Sequence, residues 1–375
     1  EPEGEGSKRI VDGTSWSEFC DTLKLAGNVI TSSRQPDDLL TRTEGFRYLA
    51  RLTRTALEAF LEQSDPLAPS LHRPVHETVK IGADNPDNYY QFATISGAHR
   101  YRLRGQRGTI HYLGLGTYKG GYGSATGPSG ESGYLEGRDL QLGDDGALEV
   151  VLACERPADA TNWLPMEPET SSLIVRQTYL DRATEEVAEL TLERLDDDGA
   201  PSADGPTPLT AARLDEGLGS AGRLVMGVAA MFANWAGGFQ KHENELPEFY
   251  PEVSLAAHGD PNICYYHSYW RLAPDEALVV EATPPACDYW NFQLNNHWME
   301  SLDYRFHTIS INKHEARYAD DGSVRIVVAH EDPGLDNWLD TAGHAFGTMC
   351  FRWIRADEHP RPQTRVVKLA DLTRG

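Results

Sequence analysis

A chain of 375 residues is long enough for two domains, each with its own buried core. The formal net charge of −23, from 34 Lys and Arg against 57 Asp and Glu, argues against nucleic acid and anionic membranes as partners. It fits a solvated acidic surface that keeps the protein in solution.

In chain order, the acidic stretch Glu1 to Gly6 lacks the apolar core of a secretory leader. Residues 1–70 are expected to be helical: Trp16, Phe19, Leu23 and Ile30, then Phe46, Leu49, Leu52, Phe60 and Leu61, recur at helical spacing. Ser64-Asp65-Pro66 breaks that pattern, and residues 71–180 have the aromatic, Thr and Val texture of a first β unit. Within it, the glycine-rich run 114–137 is too rich in Gly for an ordinary strand and is expected to be a loop, either a plain mobile one or a lid. Residues 181–250 read as a helical connector: a helix over 184–195, a polar linker, and a second helix over 209–239. The apolar part of that last helix, 224–239, is shorter than the roughly 20 residues that span a bilayer. Residues 251–375 form a second β unit.

The second unit repeats the first. Asp144-Asp145-Gly146, Pro157 and Asn162-Trp163-Leu164 return as Asp320-Asp321-Gly322, Pro333 and Asn337-Trp338-Leu339. The offsets are 320 − 144 = 176, 333 − 157 = 176 and 337 − 162 = 175. The Tyr89-Tyr90 and Tyr265-Tyr266 pairs also lie 176 apart. A tandem duplication is the economical explanation, and two such units create an interface where a ligand can sit. The fold expected is α+β: two duplicated β-sandwich-like units with N-terminal and inter-repeat helices. Asn162 and Asn337 are expected to fix a turn, and each repeated Trp to plug a core.

Chemistry concentrates in the second unit. Read as one strand, 290–298 puts Trp290, Phe292, Leu294 and Trp298 on an apolar face, with Asn291, Gln293, Asn295 and His297 opposite. Asn is disfavoured in strands, so this ladder of carboxamides is expected to line a polar cavity and orient a ligand. Glu300, Asp303 and Tyr304, with His297 and His330, are the candidate acid–base groups. Tyr265, His267 and Trp298 join the carboxamides as candidate substrate contacts. What only the second copy carries adds weight to His330, Asp332, Asp340 and His344. No HExxH, GxSxG or phosphate-cradling glycine motif occurs, so no cofactor is expected and a metal ion is left open.

Three segments carry a resemblance: Tyr289 to Leu294, Trp298 to Asp303, and His330-Glu331-Asp332-Pro333-Gly334 followed by Asn337-Trp338-Leu339. Together they resemble the bacterial domain-of-unknown-function family twelve-fourteen, often found with family twelve-fifty-four. The likeness is dense over 260–367 and looser in the first copy. It implies paired β-sandwich-like parts with helical additions, and no reaction.

The function expected from the residues is an enzyme acting on a small, partly apolar organic molecule by general acid–base chemistry, as a hydrolase, lyase or isomerase. The alternative is a non-catalytic β-sandwich that binds carbohydrate or another small ligand through its aromatics. Five widely spaced cysteines without a CxxC pair read as reduced thiols in a cytoplasmic protein, with no membrane partner and a homo-oligomer left open.

Overall fold

The repeat in the sequence is a repeat in space. In the computed structural model, which describes residues 4–125 and 127–372, eight strands of the first unit recur in order in the second. Residues 1–3 of the acidic stretch, and Thr126 in the glycine-rich run, lie outside the described residues. The first unit comprises β1 (Asn88–Thr94), β2 (Arg100–Gln106), β3 (Tyr112–Gly120), β4 (Pro128–Glu136), β5 (Ala147–Ala153), β6 (Trp163–Pro165), β7 (Thr170–Thr178) and β8 (Glu189–Leu195). The second comprises β9 (Ile263–Arg271), β10 (Glu276–Ala282), β11 (Tyr289–Leu294), β12 (Ser310–Asn312), β13 (Val324–Ala329), β14 (Trp338–Asp340), β15 (Phe346–Ile354) and β16 (Gln363–Lys368). The sheets are β1-β7-β3-β4 and β6-β5-β2-β8 in one unit, and β9-β15-β11-β12 and β14-β13-β10-β16 in the other. These are the same two orders, strand for strand.

Small features repeat with the topology. The short β6 and β14 each run parallel to the preceding strand. Trp163 Nε1 donates to the Ala153 carbonyl at 3.0 Å, and Trp338 Nε1 donates to the Ala329 carbonyl at 3.1 Å. Both indoles are half-buried beside a strand edge, so they clamp backbone rather than plug a core. Asn162 Nδ2 donates to the carbonyls of Gln141 and Glu149, and Asn337 Nδ2 to those of Arg317 and Arg325. Each carboxamide therefore ties a turn to its neighbouring strand.

Each unit buries one face of each of its two sheets, as period-two patterning requires. Leu103, Leu115, Val150, Leu152, Leu173 and Val175 fill the first core. Trp290, Phe292, Leu294, Val324, Ile326, Val328 and Phe351 fill the second. A third core is helical. It joins α2 (Thr14–Thr31), α3 (Leu39–Leu57) and α4 (Ala211–Phe239), with α1 (Glu5–Val11) also packed on α4. Asp38 caps α3 by accepting from Thr41 N at 2.9 Å, and Thr210 caps α4 by accepting from Arg213 N at 3.2 Å. A short α5 (Pro251–Ala256) leads into β9. Among the described residues no helix is long and apolar enough to cross a membrane.

Two sequence expectations are corrected. Residues 184–195 are not a helix; β8 occupies 189–195 and pairs with β2, so the first unit extends beyond residue 180. The glycine-rich run is mostly strand, with a short turn between β3 and β4. Gly114 and Gly116 lie in β3 because tyrosines cross the sheet there. A Cβ at Gly114 would stand 2.2 Å from Tyr134 Oη, and one at Gly116 would stand 2.5 Å from Tyr118 Oη.

The two units grip each other reciprocally. Tyr112 of the first donates to Asp260 Oδ2 at 3.0 Å, and Tyr289 of the second donates to Asp87 Oδ2 at 2.6 Å. Ile263, Ile354 and Leu180 pack around the two tyrosines.

Candidate functional site

A cavity of about 660 Å³ opens where β1 and β7, β9 and β15, α4 and the β3–β4 turn meet. Phe60, Phe92, Phe232, Trp235 and Phe249 supply its apolar walls. Two buried arginines enter it from equivalent strands, Arg176 on β7 and Arg352 on β15, and 352 − 176 = 176 is the repeat offset. Each sits beside a tyrosine on the neighbouring strand: Arg176 pairs with Tyr90 and Arg352 with Tyr265.

A phenol and a backbone carbonyl hold one guanidinium, and two side-chain amides and a backbone carbonyl hold the other. Arg176 Nη1 donates to Tyr118 Oη at 2.8 Å, and its Nη2 donates to the His258 carbonyl. Arg352 Nη1 donates to Gln293 Oε1 at 2.5 Å and Asn291 Oδ1 at 3.2 Å, while Nη2 donates to the Ala83 carbonyl. Burial opposes each charge. Tyr118 and Asp260 around Arg176, and Cys350, Tyr90 and Tyr265 around Arg352, outweigh it, so both side chains keep their protons.

The remaining polar wall is unusually short of partners. His267 is buried and its Nδ1 has no hydrogen-bond partner among the described residues, and neither has Ser172 Oγ. The His267 ring is stacked between Phe239 and Tyr265, at centroid distances of 5.6 Å on both sides. Burial, then the charge of Arg352, pushes the His267 imidazole down to about 3, and burial takes His258 to about 4. Both rings are therefore neutral at physiological pH. Burial raises the phenols of Tyr90 and Tyr265 and the carboxyl of Asp84, which also lines the cavity. A phenol, a neutral imidazole, a carboxyl of raised pKa and two guanidiniums can together move a proton and steady a developing oxyanion.

Of the residues singled out in the sequence, Tyr265 and His267 line this cavity. Asn291, Gln293 and Asn295 are fully buried and do not. They form a network beneath Arg352: Asn291 Nδ2 donates to Asn85 Oδ1 at 3.0 Å, and Gln293 Nε2 to the Asp84 carbonyl at 2.9 Å and Asn295 Oδ1 at 2.5 Å. The ladder stops early because β11 ends at Leu294 and the chain turns, with Met299 at φ 59°. His297 accordingly points elsewhere, 3.0 Å from Tyr269 Oη and 2.7 Å from Gln35 Oε1. Trp298 sits in the helical core and donates to the Thr41 carbonyl at 2.8 Å.

The other acid–base candidates are dispersed. Glu300 is buried in an ion pair with Arg51 at 2.6 Å, fastening α3 to the second unit. Asp303 is half-exposed beside Arg305, whose hydrogen bond takes it down to about 2. The Tyr304 ring lies under Lys80 Nζ at 4.5 Å. His330 is 2.9 Å from Thr341 Oγ1, Asp340 is 2.6 Å from His307, and His344 is 3.0 Å from Glu44. Asp332 turns back to accept from Gly334 N at 2.8 Å. None of these lines the cavity. Among the described residues no group of three or more His, Cys, Asp or Glu is arranged to hold a metal ion.

Sequence reasoning passed over Arg176, Arg352, Tyr90 and Asp84, although the 176-residue offset already aligned the two arginines. Similarity agrees with the duplicated architecture. The model of a family described as protein of unknown function (DUF1214) matches twice, over 90–179 and 273–358. A crystal structure of an uncharacterized protein from Burkholderia cenocepacia is 49% identical, with a TM-score of 0.93, over 97% of this chain and 99% of that one. The VPA0106 protein from Vibrio parahaemolyticus, 13% identical over 92% of this chain and 100% of its own, has a TM-score of 0.51 and shares the fold alone. No curated protein matches. Two family matches, one in each β unit, place the protein in the DUF1214 family.

Proposed function

We propose that the protein is an enzyme acting on a small, partly apolar organic molecule in the cavity between its two β units, by general acid–base chemistry of the hydrolase, lyase or isomerase type. The observation that carries this reading is a pair of polar atoms in an apolar-walled cavity, His267 Nδ1 and Ser172 Oγ, that have no hydrogen-bond partner among the described residues. Buried polar groups are normally paired, and a site shaped for a substrate is where such pairing is left to the ligand. Tyr265, kept protonated by burial and without a hydrogen bond to any described residue, is the donor we assign to the reacting oxygen. Asp84, its pKa raised by burial, is the proton acceptor. Four of the eight tryptophans, Trp270, Trp290, Trp298 and Trp353, are fully buried and offer no face on which a sugar ring could stack. All five cysteines are free thiols, which favours a reducing compartment, and a cytoplasmic setting belongs to the same proposal.

Turnover screening with esters, amides, hydroxy acids and enolisable carbonyl compounds tests it. Tyr265→Phe should leave the melting temperature within a few degrees and lower kcat about 100-fold or more. Undiminished kcat in that variant would refute the assignment.

A further inference from the structure

The geometry points to an organic acid as the substrate: its carboxylate is held between Arg176 and Arg352, and its carbon body lies against Phe232, Trp235 and Phe249. This rests on the reading of the cavity as the working site and names what the site selects.

The first argument is charge. In a chain of net charge −23, the described residues lining the cavity include four arginines (176, 213, 223 and 352) and two carboxyls, Asp84 and Glu216. Neither Arg176 nor Arg352 forms an ion pair with any described residue. The nearby buried acids are already engaged. Asp260 accepts from Tyr112 and Tyr134, Asp84 from Ser301 N and Oγ, and Asp87 from Tyr289 and Asn312. Buried charges are ordinarily paired, so two unpaired guanidiniums in one cavity call for an anion from outside.

The second argument is donor count. A guanidinium carries five N–H donors in a planar fork. Arg176 directs two into the protein, and Arg352 makes three bonds to protein acceptors. Their remaining donors have no acceptor among the described residues. A carboxylate takes two parallel N–H bonds from such a fork. The third argument is convergence: Tyr90 and Tyr265 each feel the charge of both arginines, so the two forks serve one region. Among the described residues no lysine lines the cavity, and the aromatic walls suit a carbon skeleton rather than a free phosphate. Arg223, exposed on α4 at the same cavity, would draw anions towards it.

Calorimetric titration with matched pairs tests this directly: phenylacetate, hexanoate and adipate against phenylacetamide, hexanamide and adipamide, with inorganic phosphate as a further arm. The acids should bind at least about 30-fold more tightly than their amides. Arg352→Lys, which keeps charge but loses the fork, should weaken acid binding about tenfold or more. Should Arg352→Lys fail to fold, the wild-type acid-to-amide ratio still decides. Amides binding as well as acids would overturn the acid assignment while leaving the cavity reading standing, and phosphate outcompeting every acid would overturn it too. Binding of neither class would overturn both.

Discussion

Replacing Gln293 with leucine tests whether the carboxamides under Arg352 are structural supports. Sequence patterning placed them along a polar, ligand-orienting cavity, where leucine would change stability little. In the structure Gln293 is fully buried and makes three bonds. Its removal takes a 2.5 Å acceptor from Arg352 Nη1, leaving Asn291 at 3.2 Å, and takes donors from the Asp84 carbonyl and Asn295 Oδ1. Each orphaned buried group costs about 1–3 kcal/mol. The leucine recovers about 1–2 kcal/mol through apolar burial. The net expectation is a loss of about 3–5 kcal/mol, measured by urea unfolding followed through tryptophan fluorescence. Arg352→Met removes the other side of the same bonds. The double variant should therefore be more stable than the sum of the single losses predicts, by about 1 kcal/mol or more. A loss below about 1 kcal/mol in Gln293→Leu, or simple additivity, would refute the view that this network carries the buried charge.

Two further outcomes follow from the geometry. Trp163→Phe and Trp338→Phe each delete one indole-to-carbonyl bond at equivalent repeat positions, so each should cost about 1 kcal/mol, and the pair should be additive in thermal unfolding. His267 has a folded pKa of about 3, below its ordinary 6.5, so the unfolded chain takes up that proton first and the folded state loses stability as pH falls below about 6.5. Urea titrations between pH 4 and 7 should show a shallower acid loss in His267→Gln than in the wild type, by at most about 1.4 kcal/mol per pH unit; identical slopes would contradict a buried neutral imidazole.

Period-two patterning and the repeat offset were enough to read the two β units, the core face of β11, and the turn-fixing asparagines. These depend on local alternation and on comparing the chain with itself. The glycines of β3 were misread because their reason lies in Tyr134 and Tyr118, whose side chains cross the same sheet. Residues 184–195 satisfied helical spacing through Val187 and Leu190, and strand alternation through Leu190 and Leu192; pairing with β2 decided it. The carboxamide ladder was recognised as unusual, yet its role required knowing that Arg352 lies directly above it. An arginine in a strand reads as solvent-facing, and only the packing of the opposite unit and α4 buries Arg176 and Arg352. Discounting features shared by both copies also directed attention away from the pair of residues that the duplication itself aligns.

The central claim is that the cavity between the repeats is the working site, and small-molecule capture tests it most directly. Immobilised wild-type protein and an Ala59→Trp variant, whose indole would fill the cavity wall, are exposed to the same metabolite extract, and retained compounds are identified by mass spectrometry. The wild type should retain partly apolar organic acids that the variant releases. Equal retention of the same compounds by both proteins would contradict the account.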